Sequence, residues 1–321
     1  MLGGISALVQ GASGQGSSMT LLPDSSPSPL RPIILYHGMG SGAEEMRTIA
    51  HLVQQLYPGT HTTSLPIFEG LDSIRPLQEQ IRMVIDAIRS RVTASPELYS
   101  DGYNLVCKSQ GAAVCRMVIS EMDDHNVHTF IGLAGPQMGC FGFDYLRNAY
   151  DANVLPAEVA GPVATAITGG VADAFSASAW MLAYHTPLRG TSSIFQLWRD
   201  WRHLDDFYEM SPMLPPHTEN ATARMRTNFM RLHRAVFAVG SGRPFEGGIE
   251  PWQTAIFGAH DSHGTIRSLF EQEWYTGDDT LGLRALHEAG NLTLTVVPNA
   301  SHAAWTSDPV LIRDEVIRWL V

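Results

Sequence analysis

Residues 103–121 read YNLVCKSQGAAVCRMVISE. An extended apolar run leads into a turn at Ser109, and an apolar stretch with helical character follows it. In this arrangement a strained turn lifts a serine hydroxyl above a sheet while the next helix points its N-terminus at it. Small residues two before and two after the serine let strand and helix pass closely. Here they are Cys107 and Gly111. A serine in this place can also do no more than cap the helix, its oxygen accepting a backbone N–H.

The segments on either side repeat the strand–helix alternation. RPIILYHG (31–38) is an apolar strand that ends in HGMGSG, and AEEMRTIAHLVQQLY (43–57) has helical periodicity with Pro58-Gly59 as its stop. THTTSLP (60–66) is extended, SIRPLQEQIRMVIDAIRSRV (73–92) is a long amphipathic helix, and HTFIGLAGP (128–136) is the next strand. The pattern breaks from about 139 to about 227, where an Ala-rich helical stretch (156–185) and an aromatic stretch (195–216) suggest an insertion folded over the sheet. It resumes with HRAVFAVGSG (233–242), then LTLTVVP (292–298) and a closing helix, DPVLIRDEVIRWLV (308–321). Such alternation predicts an α/β fold: a mostly parallel sheet, helices on both faces, and a helical cap insertion. The Ser/Pro-rich start, residues 1–30, reads as a mobile leader before a single domain over 31–321.

The 321 residues carry 44% hydrophobic and 17% charged side chains, which fits one large domain with a sizeable core. Thirty-two acidic residues against 21 basic ones give a net charge of −11, which argues against nucleic acid or an anionic membrane surface as main partner. Twenty of the basic residues are arginine; the one lysine, Lys108, stands directly before Ser109, and we read that as compositional bias. No stretch approaches the roughly 20 apolar residues of a membrane helix, and the N-terminus lacks the basic region of a signal peptide. Cys107, Cys115 and Cys140 are the only cysteines, and Asn220, Asn291 and Asn299 begin glycosylation sequons. No Cys/His cluster has metal-ligand spacing, so neither metal nor organic cofactor is expected.

Two further segments bear on Ser109. YHGMG (36–40) ends the first strand, where a loop N–H can join the N–H after the nucleophile in an oxyanion hole. Met39 and Gln110 fill those slots, while His37 reads as structural. NASHAAW (299–305) follows the last strand and puts His302 where a Ser–acid–His order places the general base. The acid must come from the region after RAVFAVG, which offers Glu246, Glu250 and Asp261. Position alone does not choose among them.

These motifs and several others occur in a set order: VCKSQGAAVCR, MDDHNV, PQMG, LWRD, ENAT, NFMRLHRAVF, PWQ…FG and SHAAW. Together they resemble the palmitoyl-protein thioesterase family of lysosomal α/β hydrolases, closest to its second paralogue, from about residue 32 to the C-terminus. The resemblance implies Ser109 as nucleophile, His302 as base, and Met39 and Gln110 as oxyanion donors. It also implies a Cys107–Cys115 disulfide and with it an oxidising, lysosomal or secretory compartment; Cys140 then stays unpaired. Aligning on IEPWQ (249–253) puts Glu246 where the family has aspartate, a methylene or ~1.5 Å longer, and Glu246 is accordingly favoured as the acid.

In the family the insertion helps to form an acyl groove, which suggests Met138, Phe141 and Trp198 as lining residues. The expected substrate is a fatty-acyl thioester, either acyl-CoA or an S-acylated protein. A general carboxylesterase or lipase on the same scaffold is the nearest alternative, and a catalytically decayed lipid-binding protein a more distant one.

Overall fold

The structure is a computed structural model that describes residues 27–151, 153–155, 157–170, 187–199, 213, 219–241 and 252–321. Its strands, in chain order, are β1 (Ile33–Tyr36), β2 (Thr62–Ser64), β3 (Tyr103–Lys108), β4 (Val127–Leu133), β5 (Cys140–Phe141), β6 (Trp198–Arg199), β7 (Arg234–Ser241), β8 (Ala259–His260), β9 (Ile266–Arg267) and β10 (Leu292–Pro298). Six of them form one sheet in the order β10-β7-β4-β3-β1-β2, and every pairing in it is parallel. The strands expected at 31–38, 103–107, 128–136, 233–242 and 292–298 are all in this sheet.

Parallel strands need crossovers, and crossovers cover both faces, so the inner strands are apolar on both sides rather than alternately polar. In β1, Ile34 and Tyr36 face one core and Ile33 and Leu35 the other; in β7, Phe237 and Val236 divide the same way. Helices α2 (Leu77–Ala94) and α3 (Gln110–Glu121) cover the first face. Helix α1 (Arg47–Leu56), Trp305 and Ile312 cover the second. The helical wrap on both sides is what the alternation implied.

The helix over Glu219–Phe229, which the pattern break had placed in the insertion, lies against α3: Met225 and Phe229 join its core, and Asn228 Nδ2 donates to the Ser120 carbonyl at 3.0 Å. The polar residues of this stretch hid its role, because its buried face is narrow. Residues 1–26 of the leader lie outside the described residues, as do 171–186 and 200–212 of the insertion.

The topology places the functional end of the molecule. The chain leaves β1, forms β2 at the edge, and returns to the opposite side of β1 as β3. Ligands of open α/β sheets settle beyond the carboxyl ends of the strands at such a switch. Here those ends are HGMG after β1 and Ser109 after β3.

A disulfide joins Cys107 of β3 to Cys115 of α3, eight residues on, while Cys140 is free and buried. Closing so short a loop stabilises by about 2–3 kcal/mol. The double variant Cys107→Ala/Cys115→Ala is expected to lose that amount in urea unfolding monitored by circular dichroism, with a shift in midpoint.

Candidate active site

Ser109 has φ 53° and ψ −133°, a conformation that costs a residue with a Cβ about 1–3 kcal/mol. It persists because the surroundings leave the turn no alternative. The Ser109 N–H is fixed to the Leu133 carbonyl at 2.8 Å, and its own carbonyl accepts the Ala112 N–H at 2.9 Å. Glycines make the room: a Cβ on Gly111 would stand 2.1 Å from the His37 carbonyl oxygen, and one on Gly38 would stand 2.8 Å from Ser109 Cβ. Gly111→Ala must therefore push the HGMG loop and α3 apart. We expect it to lower the unfolding midpoint by an amount equivalent to at least ~2 kcal/mol, typical of overpacking, and to fail in the labelling assay described below.

Ser109 is the N-terminal flanking residue of α3, yet its side chain makes no capping bond. Its Oγ instead lies 3.0 Å from His302 Nε2. The helix-cap reading of this serine therefore fails. His302 reaches it from the turn that follows β10, across 193 residues of sequence.

The HGMG loop is held from three sides. The buried His37 ring stands between two carbonyls, with Nδ1 2.9 Å from Gly38 O and Nε2 3.0 Å from Ile67 O, as expected of a structural histidine. The Gly38 N–H donates to Glu45 Oε2 at 3.0 Å and the Gly40 N–H to Ser73 Oγ at 2.7 Å. Between them the Met39 N–H has no partner among the described residues, and neither has the Gln110 N–H in the first turn of α3. Both are orphan donors, and Gln110 stands at the positive end of a helix dipole. The Gln110 side chain is buried in a polar knot, donating to Ser73 O at 2.6 Å and Gln80 Oε1 at 3.0 Å and accepting from Ser193 Oγ at 2.9 Å.

Lys108 is not the compositional accident its rarity suggested. It is buried and pairs with Glu45. Burial alone would raise the Glu45 carboxyl, but the Lys108 ammonium and the Gly38 N–H outweigh it and hold the carboxyl below the usual range. Glu45, Ser73 and Gln80 escaped the sequence reading because each is an ordinary polar residue at a distance along the chain. The solitary lysine beside the serine was the available signal.

A cavity of about 300 Å³ opens on Ser109 and His302. Its walls are Met39, Pro136, Cys140, Tyr145, Asn148, Ala149, Val154 and Leu197, a mainly apolar set typical of small-ligand sites. Of the groove candidates, Met138, Phe141 and Trp198 are not among these walls. All three are buried behind them: Phe141 under the Arg199 guanidinium at 4.7 Å, and Trp198 with Nε1 donating to Gly142 O at 3.0 Å. Cys140 and Leu197, one residue away, face the cavity instead. Cys140 and Phe141 are successive residues of β5 and point to opposite sides, whereas Leu197 is the last residue of a short helix, Ser193–Leu197, and Trp198 the first of β6; composition does not say which of them faces inward.

Glu246 and Glu250 lie outside the described residues, in the segment that follows β7. Asp261 is described, and its carboxylate is taken up locally: it accepts from the N–H groups of His263 at 2.9 Å and Thr265 at 3.0 Å and from Arg267 Nε at 3.0 Å. Asn220 and Asn299 are exposed, and Asn291 is half-buried.

Comparison with known proteins gives a consistent picture. The family model described as palmitoyl protein thioesterase matches residues 32–302. The lysosomal thioesterase PPT2 of Rattus norvegicus is 31% identical over 312 residues, covering 94% of this chain and 93% of the relative. The Homo sapiens protein of the same name is 31% identical with the same coverage. Palmitoyl-protein thioesterase 3 of Dictyostelium discoideum is 24% identical over 270 residues, or 83% of each chain.

Proposed function

The chain belongs to the palmitoyl protein thioesterase family, and from that premise we propose that it hydrolyses fatty-acyl thioesters through an acyl-serine intermediate on Ser109. The observation that carries this reading is the 3.0 Å approach of His302 Nε2 to the Oγ of a serine on a strained turn, close to two N–H groups, of Met39 and Gln110, without a partner among the described residues. Ser109, Glu246 and His302 are the proposed triad, and Met39 and Gln110 the oxyanion donors.

In the reaction, Ser109 Oγ attacks the thioester carbonyl carbon as His302 Nε2 takes its proton. The carbonyl oxygen becomes an oxyanion that accepts from the Met39 and Gln110 amides, each donor being worth ~10²–10³ in rate. Collapse breaks the C–S bond. The thiolate, of pKa near 8.5, needs little help to leave and takes the proton back from His302. Water then attacks the acyl-serine with its proton passing to His302. The second collapse frees the fatty acid and returns the proton to Ser109.

The acyl chain is proposed to occupy the apolar cavity, and acyl-CoA or an S-acylated protein to present the thioester. The net charge of −11 gives nucleic acid no general attraction, and among the described residues no helix is long and apolar enough to cross a membrane. The disulfide and the relatives named as lysosomal support a lysosomal or secretory location. Asn220, Asn291 and Asn299 are proposed glycosylation sites.

The test is hydrolysis of palmitoyl-CoA and butyryl-CoA beside an oxygen-ester panel, with labelling by a fluorophosphonate probe. We expect thioester turnover and a single label on Ser109. Turnover of oxygen esters alone would move the assignment to a carboxylesterase, and failure of both turnover and labelling would leave a lipid-binding protein.

A further inference from the structure

Lys108 and Glu45 are largely buried charges that the proposed chemistry does not use. We infer that the Lys108–Glu45 ion pair is a positioning device that fixes the distance between the two halves of the oxyanion hole. This rests on the reading of Met39 and Gln110 as the oxyanion donors.

Lys108 ends β3 and immediately precedes Ser109, so its backbone belongs to the elbow that presents the Gln110 N–H. Glu45 stands on the short helical turn after the HGMG loop. Its carboxylate bridges the two: one oxygen meets Lys108 Nζ, and the other accepts the Gly38 N–H at 3.0 Å. The Met39 N–H is the next one along the chain. A second, neutral route runs on the other side, where the Gly40 N–H donates to Ser73 Oγ and the Ser73 carbonyl accepts Gln110 Nε2. The Met39 peptide thus lies between two anchors, each tied back to the elbow.

Such pairs are a poor investment in stability, because desolvation offsets the Coulomb attraction and apolar isosteres often do as well. Their strength is geometric. A carboxylate accepts from two directions at once, and a charge-assisted bond is shorter and stiffer than a neutral one. Oxyanion donors must hold their place to within about 0.5 Å. Met39, on a loop flanked by glycines, has no such precision of its own. The pair supplies it. Lys108 and Glu45 touch neither substrate nor reacting atoms, so they act through Met39 and Gln110.

The test uses the full chain. Removing one partner strands a buried charge, so the main variant is Glu45→Leu/Lys108→Met, which replaces the pair by packed apolar side chains. Glu45→Gln, which keeps the shape and an acceptor for Gly38, is the second. Each is measured for kcat and KM on butyryl-CoA, for inhibition by an alkyl trifluoromethyl ketone whose adduct with Ser109 carries the oxyanion, and for unfolding midpoint. We expect the double variant to stay folded with KM within about threefold of wild type, while kcat and ketone affinity fall together by about 10²-fold, the scale of one lost donor. Glu45→Gln should fall by about tenfold in the same two readouts.

A folded double variant with kcat and ketone affinity within threefold of wild type overturns the inference. So does a loss confined to KM or proportional to the unfolded fraction. If the double variant does not fold, Glu45→Gln decides by the same criteria. Wild type that neither turns over thioesters nor binds the ketone overturns the proposed function and this inference with it; active wild type beside unchanged variants overturns the inference alone.

Discussion

Ser109→Ala is expected to lower kcat on acyl-CoA by 10³-fold or more, with KM within about threefold of wild type. Removing the nucleophile of a triad enzyme leaves only the rate that binding and the oxyanion hole supply, while ground-state contacts survive. On the proposed reading those contacts are with the apolar cavity walls, such as Pro136, Tyr145, Val154 and Leu197, which Ser109→Ala leaves in place. The variant is also expected to fold normally, because Ser109 Oγ makes no helix-capping bond. Ser109→Gly separates chemistry from strain. It is equally inactive, but it relieves the cost of φ 53° and should raise the unfolding free energy by about 1 kcal/mol. A Ser109→Ala protein that keeps a tenth of wild-type kcat would end the acyl-serine mechanism.

Glu246→Gln is the second large effect. An acid that orients the imidazole and stabilises it once protonated is worth about 10⁴ in kcat in the enzymes where it has been replaced by its amide. We expect a loss of 10³- to 10⁴-fold on butyryl-CoA, with fluorophosphonate labelling of Ser109 slowed in parallel. Asp261→Asn is the informative control. Its carboxylate already closes a turn with the N–H groups of His263 and Thr265 and binds Arg267, so its activity should stay within about threefold of wild type. If Asp261→Asn is the dead variant and Glu246→Gln is active, the acid has been assigned to the wrong residue. If both are active, Glu250 is next. Equal losses in both would point to a general disturbance of the loop, which the unfolding midpoint would register.

The two predictions differ in how far the local sequence pattern carries them. Ser109 directly follows an apolar buried strand, and His302 stands in the turn just beyond β10, so the local pattern marks them. The candidate acids lack such a mark: the sequence after RAVFAVG offers Glu246, Glu250 and Asp261, and any carboxylate of suitable reach meets the chemical demand. Glu45 and Ser73 had no local mark at all. They meet Lys108 across 63 residues and Gly40 across 33, and neither neighbourhood carries a periodicity that announces the contact.

What the sequence determined by itself is the layer plan. Runs such as Ile33–Tyr36 and Ala235–Val239 are apolar at successive positions, as suits a short strand buried on both faces, and parallel crossovers are the way to bury both. The turn chemistry at Ser109, with Gly111 beyond it, came with that plan. Only the tertiary structure decided which side chains face the cavity and which polar groups brace the HGMG loop. Cys140 and Leu197 rather than Phe141 and Trp198 form the wall, and neither the two-residue strand Cys140–Phe141 nor the five-residue helix that ends at Leu197 has a pattern long enough to show its inward side. Lys108 and Glu45 meet because β3 and the turn after β1 are neighbours in the sheet order, and a buried charge must find its counter-ion among the groups that the fold brings within reach.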